Sequence, residues 1–117
     1  MARLALRYRG HRPGADLGYF AGRFDLVEGQ TFEVSEAGLV IGRRASADLR
    51  VASSMVAPHH VRLTWAAEGA LQLEDLRSTN GTKVNGVAVG TCSLKVGDQV
   101  SLAGHFDFEV VAPDEGN

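Results

Sequence analysis

The sequence predicts an all-β fold, a two-sheet sandwich of about eleven short strands. Apolar and polar residues alternate along most of the chain, and this two-residue period is typical of strands with one buried face. Turn signals separate the alternating segments every few residues, whereas no window shows the apolar spacing of an amphipathic helix. Many short strands joined by frequent turns favour a sandwich or a barrel, and we expect the sandwich.

The alternating segments are the expected strands, and their apolar residues are expected to form the core. In chain order these residues are Leu4, Leu6 and Tyr8; Phe24 and Leu26; Val61, Leu63 and Trp65; Leu71 and Leu73; Val100 and Leu102; and Phe106, Phe108 and Val110. A continuous apolar run, Leu39-Val40-Ile41, lies between two glycines and predicts a strand that is buried on both faces.

Turns and loops are predicted from glycine, asparagine and proline. Asn80-Gly81 and Asn85-Gly86 are hairpin signals, because both residue types tolerate positive φ angles. The glycine-rich segment 10–22 is expected to be a long irregular loop. We expect one domain over residues 1–111, followed by a polar tail at 112–117.

Composition excludes several classes of function. The formal net charge of the 117 residues is −2, so nothing favours a nucleic-acid surface, and no apolar run is long enough to cross a membrane. The single cysteine, Cys92, cannot form an internal disulfide. With no signal peptide visible at the N-terminus, a cytoplasmic protein is expected, and we expect it to be a monomer.

Enzymatic and metal chemistry find no support in the sequence. Ser53 and Ser54 lack the Gly-x-Ser-x-Gly elbow, and no nucleophile is paired with a base by spacing. His59 and His60 are adjacent, so on an extended segment their side chains point to opposite faces and do not share one ion. We expect a buried His60, an exposed His59, and neither a metal nor another cofactor.

Three segments concentrate unusual polar chemistry in expected turns. They are Ile41-Gly42-Arg43-Arg44, the segment 53–60, and the segment 75–86. Loops cluster at the ends of a sandwich, where a rigid scaffold presents the side chains that they carry. Guanidinium groups, hydroxyls and asparagine amides together suit an anion that is attached to a peptide.

These segments resemble the forkhead-associated (FHA) domain family between about Val40 and Val110. The similarity rests on Gly42-Arg43, Asp48-Leu49-x-Val51, Val56-x-x-x-His60-x-x-Leu63, Asp75-Leu-x-Ser78-Thr79-Asn80-Gly81-Thr82-x-Val84-Asn85-Gly86 and Leu94-x-x-Gly97-Asp98, in that order. The resemblance implies a β-sandwich that binds phosphothreonine peptides through loops at one end and that has no catalytic activity.

The resemblance also implies roles for individual residues. Arg43 would contact the phosphate, with Arg44 and Ser78 as further residues of the site. Thr79 would lie near the phosphate, and Asn80 would hydrogen-bond to the peptide backbone. The residues expected to shape the motif are Gly42, His60, Gly81, Asn85 and Gly86, with His60 holding the second segment and Asn85 bracing the third.

One departure from the family pattern leaves two functions open. Where the family usually has serine followed by a basic residue, this chain has Ala57 and Pro58, so a phosphate-binding hydroxyl is missing. A hydrogen bond to a charged group contributes about 1.5–3 kcal/mol, a roughly 10- to 100-fold change in affinity. The first hypothesis is a phosphothreonine-binding module in Ser/Thr kinase signalling. The alternative is a phosphate-independent interaction or assembly domain.

Overall fold

The computed structural model describes residues 4–17, 24–66 and 69–112, and within these ranges it has eleven strands and no α-helix. The strands are β1 (Ala5–His11), β2 (Thr31–Glu33), β3 (Leu39–Gly42), β4 (Leu49–Arg50), β5 (Val61–Trp65), β6 (Leu71–Asp75), β7 (Thr82–Val84), β8 (Val87–Ala88), β9 (Thr91–Leu94), β10 (Gln99–Leu102) and β11 (Phe106–Val111). No helix in the described part of the chain could cross a membrane. The all-β prediction is confirmed.

The strands form two sheets. The six-stranded sheet has the order β2-β1-β11-β10-β7-β8, and the five-stranded sheet has the order β4-β3-β5-β6-β9. Neighbouring strands are antiparallel except for β3 and β4, which pair in parallel. The predicted two-sheet architecture is therefore correct.

The core lies between the sheets and follows the alternation of the sequence. Leu6, Tyr8, Phe106 and Phe108 are buried from the six-stranded sheet, and Leu63 belongs to the opposing set from the five-stranded sheet. In β5 and β11 the intervening residues are more exposed, as a two-residue period requires. Burial of these faces supplies the main stabilisation of the fold.

Three expectations about the strands were wrong. Residues 24–26 form no strand; Phe24 instead packs on the rings of Tyr8 and Phe106 from an irregular segment. Val40 is only half-buried, because the outer face of β3 is not covered. Trp65 is also half-buried at the end of β5, where its Nε1 donates to the carbonyl of Ser35 at 2.9 Å.

The long loop expected from residue 10 starts later than predicted. A β-bulge between Tyr8 and Gly10, with Gly10 at φ 109°, lets β1 continue to His11. Residues 18–23 of that loop, and residues 113–117 of the expected tail, lie outside the described residues.

Strand register gathers several loops at one end of the sandwich. His11, at the end of β1, lies opposite Phe106, at the start of β11, and Leu102 lies opposite Thr82. In the other sheet, Val61 lies opposite both Ile41 and Asp75. The segments after β1, β3, β4, β6 and β10 therefore meet at this end, which we call the loop end.

Candidate functional site

The first motif segment is held tightly against the second. β3 ends at Gly42, and a Cβ atom there would overlap the backbone carbonyl oxygen of Pro58. The Arg43 N–H donates to the Ala57 carbonyl at 2.9 Å, and the Arg44 N–H donates to the Pro58 carbonyl at 3.3 Å. Glycine is required here because the two backbones approach closely. Backbone conformation is not the reason, since the φ angle of Gly42 is not positive.

Arg43 is oriented by the same neighbouring loop. Its side chain is half-buried, and its Nε donates to the Val56 carbonyl at 3.0 Å. The Arg43 carbonyl in turn accepts a hydrogen bond from Arg50 Nε at 3.1 Å. These bonds hold the guanidinium at the loop end. Arg44 is exposed at the start of the connection to β4.

The second segment is fastened by an aspartate that sequence reasoning missed. Asp16, in the connection after β1, accepts hydrogen bonds from Ser54 Oγ at 2.5 Å and from Ser54 N at 3.2 Å. Ser53 is fully buried, and its Oγ accepts a bond from Met55 N at 3.2 Å. No pattern in the sequence connects Asp16 with Ser54, because they are separated by an irregular segment.

His60 joins the second segment to the third, as expected. It is fully buried. Its Nδ1 accepts from the Ala57 N–H at 3.1 Å, so its Nε2 carries the proton and donates to the Gly81 carbonyl at 2.9 Å. Burial lowers the pKa of His60 below its ordinary value, although the bond to Gly81 and the nearby Asp75 carboxylate act in the opposite direction.

The lowered pKa of His60 predicts that the fold loses stability as the pH falls below about 6.5. The unfolded chain protonates its histidine first, so the stabilisation is complete above that pH and declines towards the lower pKa of the folded state. We expect a slope of at most about 1.4 kcal/mol per pH unit. Urea denaturation between pH 5 and 8 measures it.

Two histidine variants provide the controls for this pH dependence. His60→Gln keeps an N–H donor near the position of Nε2 and removes the titrating group, so the His60 contribution to the slope should disappear. His59→Gln changes an exposed histidine and should keep the wild-type slope. Equal slopes in the wild type and in His60→Gln would show that protonation of His60 does not control stability in this range.

Asp75 organises the third segment. Its carboxylate accepts hydrogen bonds from Ser78 N at 2.8 Å, Ser78 Oγ at 2.6 Å and Thr82 Oγ1 at 2.7 Å. Burial acts to raise the pKa of Asp75, but these hydrogen bonds outweigh it and hold the pKa below its ordinary value. The Ser78 hydroxyl also accepts from Gly81 N at 3.1 Å. Ser78 thus braces the turn, and its contact with the ligand stays a prediction.

Thr79 and Asn80 occupy the exposed tip of this turn. The Asn80 Nδ2 donates to the Met55 carbonyl at 2.8 Å, so Asn80 and Arg43 bind adjacent carbonyls of one loop. The Thr79 hydroxyl has no partner among the residues that the structure describes. Positive φ angles occur at Arg77 (63°) and Gly81 (83°), and the positive φ expected at Asn80 is absent.

Asn85 and Gly86 lie at the other end of the sandwich. They form the turn between β7 and β8, with φ angles of 52° and 83°. Asn85 Nδ2 donates to Asp98 Oδ1 at 3.0 Å, and Asn85 Oδ1 accepts from Gln99 N at 2.9 Å. Asn85 therefore ties the C-terminal end of the third segment to Asp98 and to Gln99 at the start of β10.

The missing hydroxyl at Ala57 has no ready substitute in its own loop. Ser53 is buried, the Ser54 hydroxyl is bonded to Asp16, and the His59 Nε2 is hydrogen-bonded to Ser46 Oγ at 3.0 Å. The flanking loops carry two exposed groups that could donate to an anion, Arg44 and Thr79. Groups of histidine, cysteine and acidic residues that could hold a metal are absent from the described ranges.

The loop end carries groups whose chemistry suits an anion on an extended peptide. A half-buried arginine and an exposed one offer charge-assisted donors, and the third segment offers an exposed hydroxyl and an amide. His60 and Asn80 cross-link the second and third segments, and Asp75 braces the third internally, so the donors are positioned before a ligand arrives.

Comparisons with known proteins agree with this arrangement. The family model for the FHA domain matches residues 39–103. The FHA domain-containing protein FhaA of Mycobacterium tuberculosis (strain ATCC 25618 / H37Rv) is 36% identical over 88 residues, which are 75% of this chain. The matched region spans 16% of the length of FhaA.

Solved structures are also similar. One, described as a structural and functional analysis of phosphothreonine-dependent FHA domain interactions, is 27% identical with a TM-score of 0.71 over 93% of this chain and 95% of its own. The FhaA FHA domain complexed with the intracellular domain of Rv3910 is 27% identical with a TM-score of 0.69, over 92% of this chain and 98% of its own.

Proposed function

Because the chain belongs to the FHA domain family, we propose that it is a phosphothreonine-peptide-binding interaction module in Ser/Thr kinase signalling. In this proposal it acts in the cytoplasm as a monomer and catalyses no reaction. Its partner is a phosphothreonine-containing protein, and it binds neither nucleic acid nor a membrane.

The observation that carries the proposal is the convergence of Arg43 and Asn80 on one loop. Their side chains are anchored to the adjacent carbonyls of Val56 and Met55, at 3.0 and 2.8 Å. The two carbonyls belong to consecutive residues, so the guanidinium and the amide are held close together. This spacing suits a phosphate and the peptide backbone next to it. Arg43 would bind the phosphate, Thr79 and Arg44 would add donors, and Asn80 would bind the backbone.

The similar structures support the ligand class. One comes from work on phosphothreonine-dependent FHA domain interactions, and in another the FhaA FHA domain is complexed with a protein domain. Both cover more than nine-tenths of this chain. Binding of a phosphorylated protein segment at the loop end is the simplest function consistent with these likenesses.

A titration with peptide libraries tests the proposed function. A degenerate phosphothreonine library is compared with phosphoserine and unphosphorylated libraries of the same design. We expect saturable binding of the phosphothreonine library alone. Equal binding of the unphosphorylated library would contradict the proposal and would favour the phosphate-independent alternative.

Ala57→Ser should strengthen phosphothreonine binding about tenfold, because a hydroxyl on the half-buried loop adds one hydrogen bond to a charged group. Isothermal titration with one phosphopeptide from the library measures the change. Ala45→Ser adds the same hydroxyl to an exposed loop position and should leave the affinity unchanged. If neither variant alters the affinity, the phosphate does not lie against residue 57.

The phosphate-independent alternative is favoured by one observation, the environment of Ala57. Both serines in its loop are unavailable, one through burial and the other through its bond to Asp16. A domain that retained the fold and lost phosphate binding would still bind its partner after phosphatase treatment. The library titration separates the two functions directly.

A further inference from the structure

A cavity of about 270 Å³ opens on the outer face of the six-stranded sheet, apart from the proposed phosphopeptide site. Its lining includes Arg12, Lys83, Gln99, Ser101 and Asp107. Lys83 lies directly opposite Ser101 in the register of β7 and β10, and Ser101 lies directly opposite Asp107 in that of β10 and β11. One row across three strands therefore brings a lysine, a serine and an aspartate together.

Two of these side chains lack internal partners. Ser101 lines the cavity, and its Oγ is buried and has no hydrogen-bond partner among the described residues. The Lys83 side chain makes no ion pair or hydrogen bond with any residue in the described ranges. Because a buried hydroxyl without a partner is unfavourable, the pair marks a place where a ligand would satisfy groups that the fold leaves unsatisfied.

The charges of the lining favour an anion. Asp107 is already neutralised by Arg12, whose Nε and Nη2 lie 3.0 and 3.4 Å from the two carboxylate oxygens. Lys83 then contributes the uncompensated positive charge of the lining, although the whole chain has a formal net charge of −2. A carboxylate can accept from both the Lys83 ammonium and the Ser101 hydroxyl.

The position of the cavity favours a side chain of a bound protein segment. Its volume of about 270 Å³ lies at the lower end of the range for ligand sites and admits the end of an acidic side chain. It begins beside the loop end, because the Ala103 N–H donates to the Gly81 carbonyl at 2.9 Å and Gly104 lines the cavity. A polypeptide lying along the sheet would reach it.

We propose that this cavity is a second binding site, which takes a carboxylate side chain from an acidic segment of a protein partner. Lys83 pairs with the carboxylate, and the Ser101 hydroxyl donates a hydrogen bond to it. The site needs no phosphate, and its contacts are separate from Arg43 and Asn80.

NMR titration of the ¹⁵N-labelled chain with a capped oligoglutamate peptide tests the site. We expect saturable shifts centred on the amides of Lys83, Ser101 and Asp107, and none with the matched oligoglutamine peptide. Lys83→Gln should weaken binding by roughly fivefold, the size of an exposed charge pair, whereas Lys95→Gln should not. Equal losses in both variants would overturn the proposal, because they would indicate attraction by net charge alone.

The variant Ser101→Ala separates a binding role of the hydroxyl from a role in stabilising the fold. It should weaken oligoglutamate binding while the thermal midpoint of unfolding stays unchanged or rises, because the lost hydroxyl has no internal partner. A lowered midpoint would overturn the proposal by showing that the hydroxyl serves the fold. Equal shifts with acetate at matched carboxylate concentration, or with single-stranded DNA, would overturn the assignment to an acidic protein segment.

Arg43→Ala distinguishes this site from the phosphopeptide site. It should leave the oligoglutamate titration unchanged, whatever it does to phosphopeptide binding. Loss of oligoglutamate binding in Arg43→Ala would mean that the peptide binds at the loop end, and the cavity would then have no ligand of this class.

Discussion

Arg43→Ala should weaken phosphothreonine-peptide binding by at least about 30-fold in affinity. Removing one partner of a desolvated, hydrogen-bonded charge pair costs about 2–5 kcal/mol or more, because the other charge is left unpaired. Arg43 fits this description: it is half-buried, and its Nε bond to the Val56 carbonyl holds it in place. Isothermal titration with one phosphothreonine peptide measures the loss.

Two further variants make the Arg43 result specific. Arg62→Ala removes the same charge from an exposed position on β5, where its partner is Glu74, and should leave the affinity unchanged. Arg43→Lys keeps the charge without the planar fork and should bind with intermediate affinity. Each variant needs an unfolding curve, since the lost bond to Val56 costs the fold about 1 kcal/mol. Full affinity in folded Arg43→Ala would exclude a phosphate at this guanidinium.

Much of the fold could be predicted because the alternation of apolar and polar residues is a local property of each strand. Alternation placed Leu6, Tyr8, Phe106 and Phe108 in the core, and all four are buried. The same rule failed at Phe24, where apolar residues alternate for too few positions and aromatic packing on Tyr8 needs no strand. Periodicity reports which side chains are buried, whereas strand pairing depends on neighbours that are distant in the chain.

The candidate site was predictable only in part, for a related reason. His60 could be recognised from its motif as a buried residue that pins a loop, and its bonds to Ala57 and Gly81 agree with that role. The bond between Asp16 and Ser54 could not be foreseen, because it joins residues 38 positions apart without a motif. The row of Lys83, Ser101 and Asp107 likewise depends on the order of β7, β10 and β11, which alternation does not specify.

Gly42→Ala should destabilise the fold by about 2–5 kcal/mol. The added Cβ would overlap the Pro58 carbonyl oxygen, so β3 and the segment before β5 would have to separate. Overpacking costs about 1–3 kcal/mol, and separation also strains the bonds from Arg43 N to Ala57 O and from His60 N to Ile41 O. Urea denaturation, with the slope checked for constancy, measures the change in the free energy of unfolding.

Gly90→Ala is the matched control for this prediction, because a Cβ at Gly90 would meet no atom within 4 Å and its φ angle is not positive. It should be neutral or slightly stabilising, by up to about 1 kcal/mol, since alanine restricts the unfolded chain. Equal stability of the two variants would refute the close approach at Gly42. If Gly42→Ala still folds, its phosphopeptide affinity should also fall, because the contact that excludes a side chain at Gly42 sets the position of the adjacent Arg43.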